Sequence, residues 1–214
     1  TGESPTLSHD EHKKLVEVCI EQSNRRVPVI AGAGSNSTNE AVDFVKHACS
    51  AGADGLLIVT PYYNKPTQLG LIAHYNELIK NSSKPIIIYD IPGRSVIKMS
   101  DATMAKLAEN ELIAGVKDAT ADLARPTRLQ NLIGDDFIQL SGEDGTALAY
   151  LAAGGHGCIS VTANIAPKLL SSMHNAWKQG DITTAQEINK KLMPLHDALF
   201  YETSPGPLKY AASL

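Results

Sequence analysis

Lys117 is the side chain in this sequence best placed to do chemistry. It lies in Ile113-Ala114-Gly115-Val116-Lys117-Asp118-Ala119, a run that is apolar up to the lysine. Lysine is almost never fully buried unless it is paired. Removing water disfavours the ammonium form and lowers the pKa of the amine. A neutral amine at the end of a strand is the nucleophile that Schiff-base chemistry needs. The same run also admits a lysine paired with Asp118 or snorkelling to a rim. The apolar run before it is Ile86-Ile87-Ile88-Tyr89-Asp90-Ile91, followed by Pro92-Gly93-Arg94-Ser95. If the two runs are neighbouring parallel strands, Tyr89 and Lys117 share a pocket. A phenol there can donate to a carboxylate or relay a proton; a core tyrosine is the alternative. Arg94, in the turn beyond, can grip a carboxylate bidentately, or form a surface ion pair of little consequence.

Other positions are less specific. In Thr60-Pro61-Tyr62-Tyr63-Asn64-Lys65-Pro66 two adjacent tyrosines stand between prolines. They are hard to bury together, so one is expected inward and the other in an interface, unless the loop is simply stiff with aromatic anchors. Gly142 and Ile159 fall at strand positions near a barrel mouth or axis, where glycine lets a ligand approach the backbone; a plain strand-to-helix turn also explains Gly142. The seven histidines are scattered and none has metal-ligand spacing.

These residues need elements to hold them. Six apolar, β-branched runs read as strands: Val27 to Gly34, Gly55 to Pro61, Pro85 to Ile91, Ile113 to Ala119, Phe137 to Glu143 and Gly157 to Asn164. Most are apolar on both faces, as parallel strands covered on both sides should be. Amphipathic segments alternate with them. Two open with apparent capping boxes, Ser8-x-x-Glu11 and Ser37-x-x-Glu40. The pattern fits an α/β fold, either a doubly wound sheet or a (β/α)₈ barrel. Gly32-Ala33-Gly34 lacks the third glycine of a dinucleotide fingerprint. A barrel lacking its first two strands fits the count and the abrupt start at Thr1. Residues 1–179 are expected to form this incomplete barrel, and 180–214 an incomplete C-terminal helical extension.

Composition narrows the class. The 214 residues hold 19 Lys plus Arg against 23 Asp plus Glu, a net charge of −4, with no basic run. Such a chain is a poor nucleic-acid or anionic-membrane binder. No apolar stretch is long enough to span a bilayer. Cys19, Cys49 and Cys158 are too few for a disulfide framework and read as reduced thiols of a cytoplasmic protein.

Taken as a set, the motifs carry a resemblance. Thr1-Gly2-Glu3-Ser4, Val59 to Pro66, Tyr89 to Ser95, Gly115-Val116-Lys117-Asp118 and Ser141-Gly142-Glu143-Asp144 occur in the order and spacing of one family. The chain resembles the dihydrodipicolinate synthase family, in the pyruvate-dependent class I aldolase group that also contains N-acetylneuraminate lyase. The resemblance implies a TIM barrel with no cofactor and no metal, assembled as a homotetramer of two dimers. It implies a lyase in which Lys117 forms an imine with pyruvate and the enamine attacks aspartate semialdehyde. Tyr89 would shuttle protons, Thr1 would contact the pyruvate carboxylate and Tyr63 would cross into a neighbour's site. Arg94 would receive the semialdehyde carboxylate, while Gly142 and Ile159 line the lysine pocket. Ser4, His9, His12, Asn36, Glu40 and Tyr62 match a site at which lysine, the pathway's end product, inhibits. Arg94 and the tyrosine pair favour the synthase over the lyase. The rival readings are a pyruvate aldolase acting on a sugar acid and an inactive or binding barrel.

Overall fold

The computed structural model describes Thr1 to Leu214. Six strands form one sheet: β1 (Ile30–Gly32), β2 (Gly55–Val59), β3 (Ile86–Asp90), β4 (Ile113–Asp118), β5 (Ile138–Ser141) and β6 (Gly157–Cys158). Every pairing is parallel and the spatial order is the sequence order. That order decides between the two architectures. A doubly wound sheet reverses direction at a switch point and so puts helices on both faces. Unreversed right-handed crossovers put every helix on one face and leave the other to become a lumen. The sheet is therefore six strands of a (β/α)₈ wall.

The helices are α1 (His9–Ser23), α2 (Thr38–Ala51), α3 (Gln68–Lys80), the single turn α4 (Pro92–Ser95), α5 (Asp101–Ala108), α6 (Arg125–Ile133), α7 (Ala147–Ala152), α8 (Pro167–Lys178), α9 (Ile182–Ala198) and α10 (Gly206–Ser213). The main core lies between the strands' outer face and these helices. Leu56, Ile58, Ile86, Ile88 and Val116 meet Phe44, Val45, Tyr75, Leu78, Met104 and Leu129 there. Side chains alternate along a strand, so Tyr89 and Lys117 point the opposite way, into the lumen. A second, smaller core joins α8 to α9 through Leu170, Met173, Ala176, Ala185 and Leu192, across the turn at Gly180.

Several boundaries differ from expectation, each for a local reason. The first strand begins only at Ile30, because Pro28 has no N–H and the Val29 amide is taken by Asp54 Oδ2 at 2.8 Å. The last strand stops at Cys158 because the carboxylate of Asp144 captures the next residues, Ser160, Val161 and Thr162. Thr162 to Asn164 then form a 3₁₀ turn instead of strand. Ser8 and Glu11 make the full reciprocal capping box. The second box is half formed. Ser37 Oγ accepts from the Glu40 amide, but the Glu40 side chain turns away to Ser35 and His9.

Candidate active site

Strands β3 and β4 carry the centre of the site. Tyr89 and Lys117 are directly paired across the ladder. Lys117 Nζ sits 3.9 Å from the centroid of the Tyr89 ring. No carboxylate forms an ion pair with this lysine. Asp118, the partner that sequence reading allowed, faces the other side of the sheet toward Arg125. Burial brings the Lys117 amine down from 10.5 to about 8, against the opposing pull of Cys158 and Asp144. At pH 7 about one molecule in ten then holds a free amine, against about one in three thousand for an ordinary lysine. Burial raises the Tyr89 phenol above its usual value, partly offset by Arg94. The phenol therefore keeps its proton at neutral pH and is a donor.

Two glycines let β5 and the turn after it close against β4. A Cβ on Gly115 would come within 2.2 Å of the Ile138 carbonyl oxygen, so β5 packs at this distance only against glycine. A Cβ on Gly142 would meet Ala119 Cβ at 2.7 Å, where the Gly142 amide donates to the Asp118 carbonyl at 2.7 Å. Leu140 pairs with Lys117 on one side and Gly157 on the other, and the Ile159 amide donates to the Ser141 carbonyl at 2.9 Å. Gly142 thus follows β5, which pairs with the lysine strand, and Ile159 follows β6, one strand further along.

The remaining candidates separate into three places. Thr1 lies at the mouth, near Lys117 and Arg94. Arg94 stands on α4 and its Nη2 donates to the Ser204 carbonyl at 2.9 Å. This bond tethers the barrel mouth to the segment before α10. Tyr63 does not join its own site. It is 85% exposed, with a left-handed backbone at φ 70°, while Tyr62 beside it is half-buried.

The six residues matched to a lysine site gather only in part. His9 Nε2 lies 2.5 Å from Glu40 Oε1, and His12 stacks on Phe44 with ring centroids 4.1 Å apart. The same Phe44 meets His9 edge-on. Ser35 donates to Glu40, and this bond is the main cause that holds the carboxylate below its usual range. The Asn36 carbonyl accepts from Asn64 Nδ2 at 2.9 Å, which links this region to the tyrosine loop. Ser4 and Tyr62 make no side-chain hydrogen bond to the others.

Sequence reading missed two groups. One is the buried carboxylate of Asp144. The other is Arg125, fully buried at the start of α6 and bonded to Asp90 and Asp101. The only sequence signal was an aspartate directly after both Tyr89 and Lys117.

Six parallel strands of a β/α barrel, with a desolvated lysine and a phenol paired across adjacent strands, define the class: a (β/α)₈-type barrel with its polar site near the carboxyl ends of its strands. The comparisons give the family. The model of the dihydrodipicolinate synthetase family matches residues 1–214, and the chain belongs to that family. It is 63% identical, over its full length and 73% of the relative, to 4-hydroxy-tetrahydrodipicolinate synthase of Acidiphilium cryptum. It is 60% identical to the protein of that name from Bradyrhizobium diazoefficiens, covering all of this chain and 72% of the relative. Dihydrodipicolinate synthase of Aquifex aeolicus superposes with a TM-score of 0.97 at 42% identity, covering 99% of this chain and 73% of that one. The Acinetobacter baumannii enzyme complexed with pyruvate has a TM-score of 0.95 at 43% identity, covering 99% and 73%. That of Cyanidioschyzon merolae with lysine bound has 0.95 at 36%, covering 99% and 72%. No helix is long and apolar enough to cross a membrane.

Proposed function

We infer that this chain condenses pyruvate with L-aspartate 4-semialdehyde to give 4-hydroxy-tetrahydrodipicolinate, the first committed step of lysine biosynthesis by the diaminopimelate route. The observation that carries this reading is the unpaired, desolvated Lys117 amine against the Tyr89 ring. The free amine adds to the ketone carbon of pyruvate. The Tyr89 phenol donates a proton to the departing hydroxyl, and water leaves as the imine forms. The protonated imine withdraws electrons, so a methyl proton is lost and an enamine results. Its carbon attacks the aldehyde of the second substrate and forms the new carbon–carbon bond. The substrate's amine then attacks the imine carbon, the ring closes, and Lys117 leaves as a free amine.

Around this core, Thr1 holds the pyruvate carboxylate. Arg94, with one nitrogen occupied by Ser204, offers its others to the semialdehyde carboxylate. The backbones at Gly142 and Ile159 line the pocket. Tyr63, exposed and held in a left-handed conformation, serves the neighbouring site of a dimer, and two dimers make a tetramer. L-lysine inhibits at Ser4, His9, His12, Asn36, Glu40 and Tyr62, with Glu40 answering an ammonium group. The three free thiols fit a reducing compartment, the cytoplasm.

The test is to incubate the protein with pyruvate, reduce with borohydride and map the adduct by mass. It is expected on Lys117. Product should then form with aspartate semialdehyde as acceptor. An adduct on another lysine, or cleavage of a sugar acid in place of condensation, would replace this reading.

A further inference from the structure

Tyr89 and Lys117 occupy the lumen side of β3 and β4. The outer side of the same two strand ends holds an ion cluster that the reaction leaves unused. Arg125 is its centre and is 0% exposed. Its Nη1 donates to Asp90 Oδ2 at 2.7 Å and lies 3.5 Å from Asp118 Oδ2. Its Nε donates to Asp101 Oδ1 at 2.9 Å, and its Nη2 donates to the Met99 carbonyl at 2.8 Å. Asp90 directly follows Tyr89, Asp118 directly follows Lys117, and the two aspartates stand opposite each other in register, as do Tyr89 and Lys117. One guanidinium therefore bridges the last residues of the two strands that carry the reacting pair. The backbone continues the same connection. The Asp90 carbonyl accepts from the Ala119 amide at 2.9 Å, and the Asp118 carbonyl accepts from the Gly142 amide at 2.7 Å.

Stability alone is a weak reason for such a cluster. Buried charges are desolvated at a cost that well-packed apolar side chains avoid, while their fixed geometry can specify one arrangement. The rigid fork of arginine reaches four partners in different directions, which a lysine ammonium on a flexible stem cannot reproduce. Tight alignment matters where a reacting amine and its proton donor must keep a set distance.

We propose that Arg125 is a positioning residue: by joining Asp90 to Asp118 behind the sheet, it holds β3 and β4 in the alignment that keeps the Lys117 amine on the Tyr89 ring and shielded from water. This rests on the reading of Lys117 as the imine-forming residue. The experiment separates the two ideas.

Arg125→Lys keeps the charge and loses the fork. Asp101→Asn weakens the cluster from its rim, where Asp101 also accepts from Arg128 at 2.8 Å. Each full-length variant is assayed for borohydride trapping of pyruvate on Lys117 as a function of pH, for kcat and KM, and for thermal unfolding. The groups that bear on Lys117 are Tyr89 from β3, Cys158 from β6 and Asp144 after β5. None of them is altered in either variant. In Arg125→Lys the trapping rate at pH 7 is expected to fall about tenfold or more, because roughly one pKa unit toward ordinary lysine removes that much free amine. Its pH midpoint should move upward from about 8 as water reaches the amine. The loss should appear in kcat more than in the KM for pyruvate. Asp101→Asn should move the same way by a smaller factor, and it decides the matter if Arg125→Lys does not fold. A lower unfolding temperature with parental trapping rate, midpoint and kcat overturns the proposal and leaves Arg125 a structural residue. Failure of the parent protein itself to trap pyruvate on Lys117 overturns the underlying reading, and the proposal with it.

Discussion

Replacing Lys117 by methionine should abolish imine formation and make the protein more stable at neutral pH. Methionine keeps the length of the side chain and removes the amine. The folded state holds the amine at about 8, against 10.5 for an ordinary lysine. Between these values the unfolded chain binds more protons than the folded one, so stability rises with pH across that window. Below about 8 the full cost is present: folding must either bury an ammonium or release its proton. At pH 7 that cost is about 3 kcal/mol, and at pH 9.5 about 1.5 kcal/mol. The expected gain for Lys117→Met is therefore about 3 kcal/mol at pH 7 and about half of that at pH 9.5. Urea unfolding at fixed protein concentration reads this as a higher midpoint with an unchanged slope. A gain equal at the two pH values, or a loss at pH 7, would refute the claim that the site stores the cost of a desolvated amine. A gain that shrinks as the pH rises from 7 to 9.5 would mark Lys117 as a residue kept for chemistry at the expense of stability.

Three further outcomes follow from the same geometry. Tyr89→Phe keeps the ring under the amine and removes the proton donor, so trapping should still map to Lys117 with its midpoint near 8 but proceed more slowly, while kcat falls about 10²- to 10⁴-fold; a kcat within twofold of the parent would remove the phenol from the mechanism. Glu40→Ala deletes the carboxylate that meets His9 and Ser35, and calorimetry should show L-lysine binding lost while pyruvate trapping is unchanged; unaltered lysine affinity would rule out this site. Gly115→Ala drives a methyl group into the Ile138 carbonyl, and chemical denaturation should show a loss of at least about 2 kcal/mol, whereas parental stability would mean that β4 and β5 are not packed this closely.

Much of the site was legible along the chain because it depends on local pattern. An apolar run interrupted by one lysine specifies a strand with a desolvated amine, and period two places Lys117 and Asp118 on opposite faces. Repeated strand-and-helix units specify parallel pairing, and Ser8 with Glu11 specifies a helix start that the structure forms in full. What local pattern leaves open is the partner of each polar group. Glu40 has the spacing of a capping box, yet it bonds His9, 31 residues away, because packing α1 on α2 brings that imidazole within reach. The run after Gly157 has the composition of a long strand. It ends after two residues because Asp144, 16 to 18 positions earlier, supplies a competing acceptor for Ser160, Val161 and Thr162. Arg125 reads as an ordinary charged residue opening a helix. Only the folded sheet brings Asp90 and Asp118 together behind the reacting pair, since the 27 residues between them are closed into one site by strand pairing alone. The sequence by itself thus determined the elements and their faces, which follow from hydrophobic period, and marked Lys117 as the candidate nucleophile by its residue type in an apolar run. The tertiary structure decided which distant charge each polar side chain answers, because a buried hydrogen-bonding group takes whichever partner the packing of its element delivers.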